Sequence, residues 1–320
     1  MDAIEAAEGL ADELLFPAAL TSDADGAIPT AQFDALAAAG LYGTALDDDL
    51  EATCAVLEAL AGGCVSTAFV WMQHLGVLRA ALFSEHAHVR EQWSEALARG
   101  DRRGGLALGG ALPGPPLISA RETDAGWVLD GTSPWLSGWG QIDVIHTGAR
   151  TADERLVWLF VDARESDTLQ VELQDLMALR ATTTVRADFD GHVVPDERVV
   201  SIAPYAPGNT PPEVLRIHAS LALGIARRCC TLLGPSPLDE ELDSCRARLA
   251  ELDPDRIASD RADAGELAVR SSAALMAATG SRSILLDQHP QRLAREALFA
   301  SVYALRPASR DALLKRLGAA

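Results

Sequence analysis

Residues Gly126–Gly138 read GWVLDGTSPWLSG, and they open with the strand-like run Trp127–Leu129. Aromatic and β-branched residues are typical of strands. Near the end of the segment Trp135 and Ser137 are two positions apart, and in a strand such residues face the same side of the sheet. The segment therefore predicts a strand whose end presents an aromatic ring and a hydroxyl together.

Similar runs lie on both sides of this segment. From Gly104 to about Pro204 the chain has short apolar runs that are separated by Gly, Pro, Asp and Thr, among them Val144–Thr147 and Leu156–Val161. Residues Val185–Phe189 alternate between apolar and charged, which is typical of a strand with one buried face. The pattern predicts an antiparallel β barrel or sandwich over residues 104–205.

Helices are predicted before and after the β region. Residues 1–103 are rich in Ala and Leu, with apolar residues at three- and four-residue spacing, and Cys64–Phe83 is apolar on most sides, as a buried helix would be. In residues 206–320 the pattern predicts helices at about 213–233, 239–252, 261–279 and 291–317. The fold class predicted is α+β, with an N-terminal helical domain (1–103), a β middle domain (104–205) and a C-terminal helical bundle (206–320).

Composition excludes several kinds of partner. The formal net charge is −19, from 46 acidic and 27 basic residues, and an acidic surface repels nucleic acid and anionic lipid. No run of about 18 apolar residues is present, so no membrane span is expected. The five cysteines form no Cys-x-x-Cys pair, and His86 and His88 lack further ligands at metal spacing, so we expect no metal and a cytoplasmic location.

Two motifs in the β region resemble the acyl-CoA dehydrogenase family. Gly126–Gly138 is similar to the family's hairpin G-[YW]-x-[IL]-[ND]-G-x-K-x-W-[IV]-[TS]-[NG]. About 40 residues later, Leu176–Val185 (LMALRATTTV) and Phe189–Pro195 (FDGHVVP) are similar to [ML]-G-x-R-[AG]-[ST]-x-[ST] followed by F-x-x-x-x-V-P. The order of helices, β domain and helices is also the family's, and Ala222–Ala226 resembles its first C-terminal helix.

The resemblance implies a flavoprotein. In the family, the hairpin tryptophan and the hydroxyl residue two places later line the flavin isoalloxazine, which correspond here to Trp135 and Ser137. An aromatic wall and a short hydroxyl suit a flat ring system with a polar edge. The resemblance also implies FAD as cofactor, an acyl thioester as substrate, and a homo-oligomer assembled through the C-terminal helices.

The sequence departs from the family around the expected flavin. The stretch Leu108–Pro116 has no hydroxyl side chain, although family members usually have Thr-Glu-Pro and Gly-Ser-Asp there. Backbone amides of this glycine-rich loop remain as possible donors. The family's Arg-Phe-Gly segment, which reaches the flavin diphosphate, is absent after the first C-terminal helix. Arg227, Arg228 and Arg246 are the cations left to replace it.

The usual catalytic base is also missing. The family's Glu, which removes an α-proton from the thioester, corresponds to Ala304, and a methyl group takes no proton. A minority of the family places the base on the first C-terminal helix at the position of Val214. Glu213 precedes it by one residue, about 100° away on a helix, and is a weak candidate. His218 on the same helix is another candidate, without an identified orienting carboxylate.

Two hypotheses follow. The first is an FAD-dependent oxidoreductase, similar to the acyl-CoA dehydrogenases that act on CH–CH groups, whose substrate is an acyl thioester or a related small molecule. The missing base argues for a reaction other than ordinary α,β-dehydrogenation, such as oxygen-dependent hydroxylation. The second is a non-catalytic relative that assembles with an active paralogue. The persistence of Trp135 and Ser137 favours the first, and the loss of the carboxylate at Ala304 favours the second.

Overall fold

The computed structural model describes residues 2–46, 49–206, 208 and 210–319. The N-terminal helices are α1 (Ala3–Leu10), α2 (Phe16–Asp25), α3 (Thr30–Ala38), α4 (Leu50–Gly63), α5 (Val65–Leu82) and α6 (Ala87–Arg99). The C-terminal helices are α7 (Pro212–Leu233), α8 (Pro237–Ala250), α9 (Ile257–Thr279), α10 (His289–Val302) and α11 (Pro307–Arg316). In these ranges no helix combines the length and the apolar character needed to cross a bilayer.

One mixed sheet lies between the two helical regions. Its strands are β1 (Gly104–Ala107), β2 (Ile118–Thr123), β3 (Gly126–Leu136), β4 (Val144–Arg150), β5 (Arg155–Asp162), β6 (Leu169–Leu173), β7 (Val185–Val194) and β8 (Val199–Pro204). The order is β6-β7-β3-β2-β4-β5-β8, with β1 beside β4. The predicted α+β class is confirmed, whereas the division into three domains stays a prediction.

Two pairings in the sheet are parallel, which the sequence did not predict. β1 runs parallel to β4, with Gly104 opposite Val144, and β2 meets β4 in parallel at Ser119 and Arg150. The other pairings, such as β3 with β7, are antiparallel. Alternation along a strand indicates which face is buried but does not identify its partner, so a sequence pattern leaves this orientation open.

Burial along the strands follows from what covers each face. In β7, Val185, Ala187 and Phe189 are buried and Arg186 is exposed, which confirms the predicted alternation. Every residue of β4 is buried because both of its faces are covered. Val144 contributes to the core formed with the helices, and its neighbour Ile145 contributes to the core inside the β region.

Helix α5 is the element that joins the helices to the sheet. The predicted buried helix is confirmed, since most side chains of α5 are buried. A Cβ added at Gly104 of β1 would lie 2.5 Å from Val77 Cγ1, so a glycine is needed for this close approach. His74 links α5 to both α6 and β1: its Nε2–H donates to Leu97 O at 3.1 Å and its Nδ1 accepts from Gly104 N at 3.1 Å. Burial lowers the pKa of His74 to about 3, so the ring is neutral.

A second close approach joins α4 to α7. A Cβ on Gly224 would overlap the backbone of Glu58 and lie 2.7 Å from Ala61 Cβ, while a Cβ on Gly62 would lie 3.3 Å from Gly224 O. Gly224, in the segment Ala222–Ala226, therefore permits the backbones of α4 and α7 to touch. This contact holds the first C-terminal helix against the N-terminal region.

The long helix predicted at 291–317 is wrong, because it is divided in two. Helix α10 ends at Val302 and α11 begins at Pro307. Between them Ala304 has φ +46°, a left-handed conformation that no helix continues through. Pro307 occupies the first position of α11, where proline is favoured. The periodicity of apolar residues persists across the break, so the pattern alone did not reveal it.

Beside the α4–α7 contact lies a buried ion cluster. The guanidinium of Arg216 on α7 is 1% exposed, and it donates to Glu51 at 2.9 Å and to Glu58 at 3.2 Å. Glu58 on α4 is 3% exposed and also accepts from Arg246 of α8 at 2.9 Å. One carboxylate therefore neutralises cations from two C-terminal helices.

Replacing this carboxylate tests the interface between the helical regions. We expect Glu58→Gln to lower the free energy of unfolding by about 3 kcal/mol, because two guanidiniums lose a buried counter-charge. Urea-induced unfolding followed by circular dichroism measures the change. The control is Glu95→Gln, which alters an exposed pair with Arg99 and should cost less than about 1 kcal/mol. Equal effects of the two substitutions would contradict a structural role for Glu58.

Candidate functional site

Trp135 lies at the end of β3 and projects from the protein. Its side chain is 59% exposed, the most exposed of the large apolar residues of that strand, while the adjacent Leu136 is fully buried. The exposed face of an indole can pack against a flat apolar ligand. The position of Trp135 therefore fits a wall for a flat apolar group.

Ser137 follows the strand and is buried among other hydroxyls. Its Oγ lies 2.7 Å from Thr184 Oγ1, which in turn lies 2.7 Å from Thr182 Oγ1. The Thr182 hydroxyl is also 2.7 Å from the carbonyl oxygen of Leu179. The sequence reasoning missed both threonines: their motif was used to identify the fold, although its run of hydroxyl residues was the available signal.

A strained segment holds these threonines. Leu179 and Thr183 have φ of +57° and +45°, conformations that are unfavourable for residues with large or branched side chains. The segment is fixed to the end of the hairpin, since Gly138 N donates to Thr182 O at 2.7 Å and Trp139 N donates to Thr183 O at 3.3 Å. The hydroxyl cluster is thus set by the same contacts that close the hairpin.

The sequence predicted that Trp135 and Ser137 face the same side of one strand, and the structure differs. β3 ends at Leu136, so Ser137 already belongs to the turn that follows, where Gly138 has φ +89°. Trp135 is exposed and Ser137 is buried, although both belong to the same short segment. Two neighbouring residues thereby offer an outer apolar surface and an inner hydroxyl.

Helix α5 places the hairpin end close to the C-terminal region. A Cβ on Gly138 would lie 3.0 Å from Val70 Cγ1. One residue earlier on the helix, the Phe69 ring meets the Tyr303 ring edge-on with 4.8 Å between centroids. Gln73 Nε2, one turn further, donates to the Tyr303 hydroxyl at 3.1 Å. The hairpin end and Tyr303 therefore contact neighbouring residues of one helix.

Around Tyr303 the polar groups are cationic or neutral. Arg261 of α9 is 3% exposed and donates to the carbonyl oxygen of Tyr303, and in the described chain it has no carboxylate within ion-pair distance. Burial lowers the pKa of Arg261 to about 10. Ala304, which the resemblance predicts at the position of the family's base, has only a methyl side chain. The sequence did not indicate Arg261, because nothing in α9 marks which arginine is turned inward.

His218 lies beside the same tyrosine. Its ring meets that of Tyr303 at 5.1 Å between centroids, and its Nδ1 is enclosed without a hydrogen-bond partner among the residues described. Burial, with Arg261 and Arg306 nearby, lowers the pKa of His218 to about 3. The imidazole is therefore neutral at physiological pH and a weak base. Glu213 is exposed in the first turn of α7, where a carboxylate complements the helix dipole.

The three arginines considered for a diphosphate already have partners. Arg227 pairs with Glu8 at 2.9 Å, Arg228 pairs with Asp12, and Arg246 pairs with Glu58 at 2.9 Å. A diphosphate would have to displace a carboxylate to reach any of them.

The 108–116 loop is likewise engaged internally. Arg150 donates to its carbonyl oxygens at Gly110, Leu112 and Gly114 over 2.8–3.0 Å, and Gly110 N donates to Gly148 O at 2.9 Å. These contacts fix the loop and use one of the amides that could have served a ligand. The hydroxyl groups available to a flavin in these two regions are at the hairpin end, since residues 108–116 have none.

The sequence of this chain is similar to those of known acyl-CoA dehydrogenases. No protein-family model matches the chain. Benzylmalonyl-CoA dehydrogenase from Aromatoleum aromaticum is 28% identical over 233 residues, which are 68% of this chain and 62% of that protein. Short-chain specific acyl-CoA dehydrogenase from Rattus norvegicus is 24% identical, over 59% of this chain and 50% of its own. The matches thus span about half to three-fifths of the length of these curated relatives.

Solved structures give the same result over almost the whole chain. A glutaryl-coenzyme A dehydrogenase in complex with glutaryl-CoA has a TM-score of 0.84 at 15% identity, covering 99% of this chain and 95% of its own. FMN-bound TdsC from Paenibacillus sp. A11-2 has a TM-score of 0.81 at 18% identity, covering 99% and 98%. The resemblance to the acyl-CoA dehydrogenase family is confirmed, and the chain has that family's fold.

Because His218 is neutral in the folded protein, we expect the free energy of unfolding to depend on pH. Its pKa is about 3 in the folded protein and about 6.5 when unfolded, so the unfolded state binds more protons between these values and stability falls as pH falls. Between about pH 6.5 and about pH 4.5, wild type should lose about 2 kcal/mol more unfolding free energy than His218→Gln. Urea unfolding at both pH values measures this. His88→Gln, which changes an exposed imidazole, should behave as wild type; an equal pH dependence in His218→Gln would contradict the prediction.

Proposed function

We propose that this chain, a divergent relative of the acyl-CoA dehydrogenases, binds FAD and acts as an oxidoreductase on an acyl thioester. The observation that carries the proposal is the exposed ring of Trp135, two residues before the buried hydroxyl of Ser137, at a hairpin end that contacts the same helix, α5, as Tyr303. An unpaired aromatic surface next to a polar group suits a flat heterocycle. FAD, when bound, supplies the acceptor for two electrons.

The residues present fit the ring system better than the diphosphate. Trp135 would cover one side of the isoalloxazine, and Ser137 would address its polar edge. No arginine among Arg227, Arg228 and Arg246 is without a carboxylate partner. We therefore expect FAD affinity to depend mainly on the hairpin end.

The reaction proposed does not rely on a carboxylate base. Ala304 has no acid group, and His218, with a pKa of about 3, is too weak a base to remove a thioester α-proton efficiently. Oxygen-dependent hydroxylation, in which an external two-electron donor reduces the flavin and O2 gives one oxygen atom to the product and the other to water, needs no such base. TdsC, which has this fold, is named a dibenzothiophene monooxygenase. In this reaction Tyr303 and His218 would form the polar wall that orients the substrate.

Flavin binding tests the proposal directly. Purified protein mixed with FAD should show the visible flavin absorbance after gel filtration, and a protein that stays colourless contradicts the proposal. Trp135→Ala should weaken FAD binding about tenfold, because the ring loses its aromatic contact. Fluorescence titration with FAD measures the dissociation constant. Phe83→Ala, which removes another exposed aromatic ring at the far end of α5, should leave it unchanged.

A second function is favoured by a specific feature of the C-terminal region. Ala304 replaces the base, and several apolar side chains in the same region are exposed, namely Ile284, Leu286, Leu298 and Val302. A chain that has lost catalysis but presents apolar surface suits assembly with an active paralogue. We likewise propose the homo-oligomer that the resemblance implies and the cytoplasmic location that the cysteine pattern predicts.

Co-expression distinguishes these alternatives. If the chain is an assembly partner, it should co-purify with an acyl-CoA dehydrogenase encoded beside it, as one species larger than either protein alone in gel filtration. Leu286→Asp should then weaken the complex at least about tenfold by placing a charge in an apolar contact, whereas Leu173→Asp on the edge strand β6 should not. Oxidation of an acyl-CoA by the isolated chain, with reduction of a dye, would exclude a purely non-catalytic role.

A further inference from the structure

The three hydroxyls behind the hairpin end form a continuous chain of hydrogen bonds. Ser137 Oγ, Thr184 Oγ1 and Thr182 Oγ1 follow one another at 2.7 Å, and the last lies 2.7 Å from Leu179 O. All three residues are at least nine-tenths buried. Each hydroxyl has a single proton to donate, so the direction of donation is determined by where the chain ends.

The number of available protons determines the direction of donation along the three hydroxyls. A carbonyl oxygen only accepts, so Thr182 donates to Leu179 O. Thr184 must then donate to Thr182, and Ser137 must donate to Thr184. In this arrangement the proton of Ser137 is already used, and only its lone pairs are available to a ligand. Ser137 therefore offers only hydrogen-bond acceptors to a further partner.

Reversing the chain has an identifiable cost. For Ser137 to donate outwards, Thr184 would donate to Ser137 and Thr182 to Thr184, and the bond from Thr182 Oγ1 to Leu179 O would be lost. Leu179 O would keep only the amide of Thr182, at 3.0 Å. The acceptor state of Ser137 is favoured by this one hydrogen bond.

We propose that Ser137, Thr184 and Thr182 form a hydroxyl relay that favours the reduced over the oxidised flavin, with Thr182 as the positioning residue that sets its direction. This inference rests on the proposed function. A flavin, when bound, would gain an N–H donor on its ring edge when it takes up two electrons and a proton. An acceptor-only Ser137 at that edge would match the reduced form better than the oxidised form.

The backbone around the relay supports a functional origin. Leu179, which supplies the final acceptor, and Thr183, which separates the two threonines, both have positive φ. Each such residue costs of order 1 kcal/mol, and strain of this kind persists where the surrounding structure and function require it. Here the strained conformations place two threonine hydroxyls in line between Leu179 O and Ser137.

The experiment compares the affinity of the protein for oxidised FAD with that for FAD reduced by dithionite under anaerobic conditions. In Thr182→Val the chain loses its terminal donor, Thr184 is free to donate to Ser137, and Ser137 can donate outwards. The ratio of reduced to oxidised affinity should fall about fivefold, the value of one hydrogen bond. For a two-electron couple this equals a midpoint potential about 20 mV lower.

Matched variants make the result specific. Thr147→Val removes another buried threonine hydroxyl, one in β4 that has no hydrogen-bond partner among the described residues, and should leave the ratio unchanged. Should Thr182→Val fail to fold, Thr184→Val tests the same relay, since it frees the proton of Ser137 directly, and the ratio should fall in the same direction.

The outcomes separate the two proposals. A lower ratio in Thr182→Val or Thr184→Val, with Thr147→Val equal to wild type, supports the relay. FAD binding with an unchanged ratio in these variants overturns the relay and leaves the proposed function standing. A wild-type protein that binds neither form of FAD overturns both.

Discussion

The burial of α5 between the sheet and the C-terminal helices is the constraint on which the other features depend. Its faces contact the hairpin end through Val70, the C-terminal region through Gln73, and β1 through Val77. The neutral imidazole of His74 joins this helix to the backbone on both sides. Because one helix makes all these contacts, the hairpin end and Tyr303 are held in a fixed relation although they are far apart in the sequence.

The architecture was predictable because its signals are local. The hairpin and its partner motif identified the family, and alternation in Val185–Phe189 identified the buried face of β7. The parallel pairings of β1 and β2 with β4 were not predictable, because they depend on contacts between segments distant in sequence, which a hydrophobic pattern does not encode. The break at Ala304 had a local signal in Pro307, which the periodicity of apolar residues does not include.

The candidate site was predictable in part, for the same reason. Trp135 and Ser137 were identified from a motif, but Thr182, Thr184, His218 and Arg261 were recognised only once the fold brought them near these residues or near Tyr303. The electrostatic character of the region also follows from the fold. Among the described residues, Arg261 has no carboxylate within ion-pair distance and His218 is neutral, so neither of these two groups beside Tyr303 supplies an anionic base.

The left-handed backbone of Ala304 bears on how this lineage can change. The penalty for positive φ comes from the Cβ atom, which alanine and glutamate both have, so exchanging one for the other leaves the backbone energy nearly the same. Alanine and glutamate codons can also differ by a single base. An exchange of alanine and glutamate at position 304, in either direction, would therefore meet no conformational barrier from the backbone.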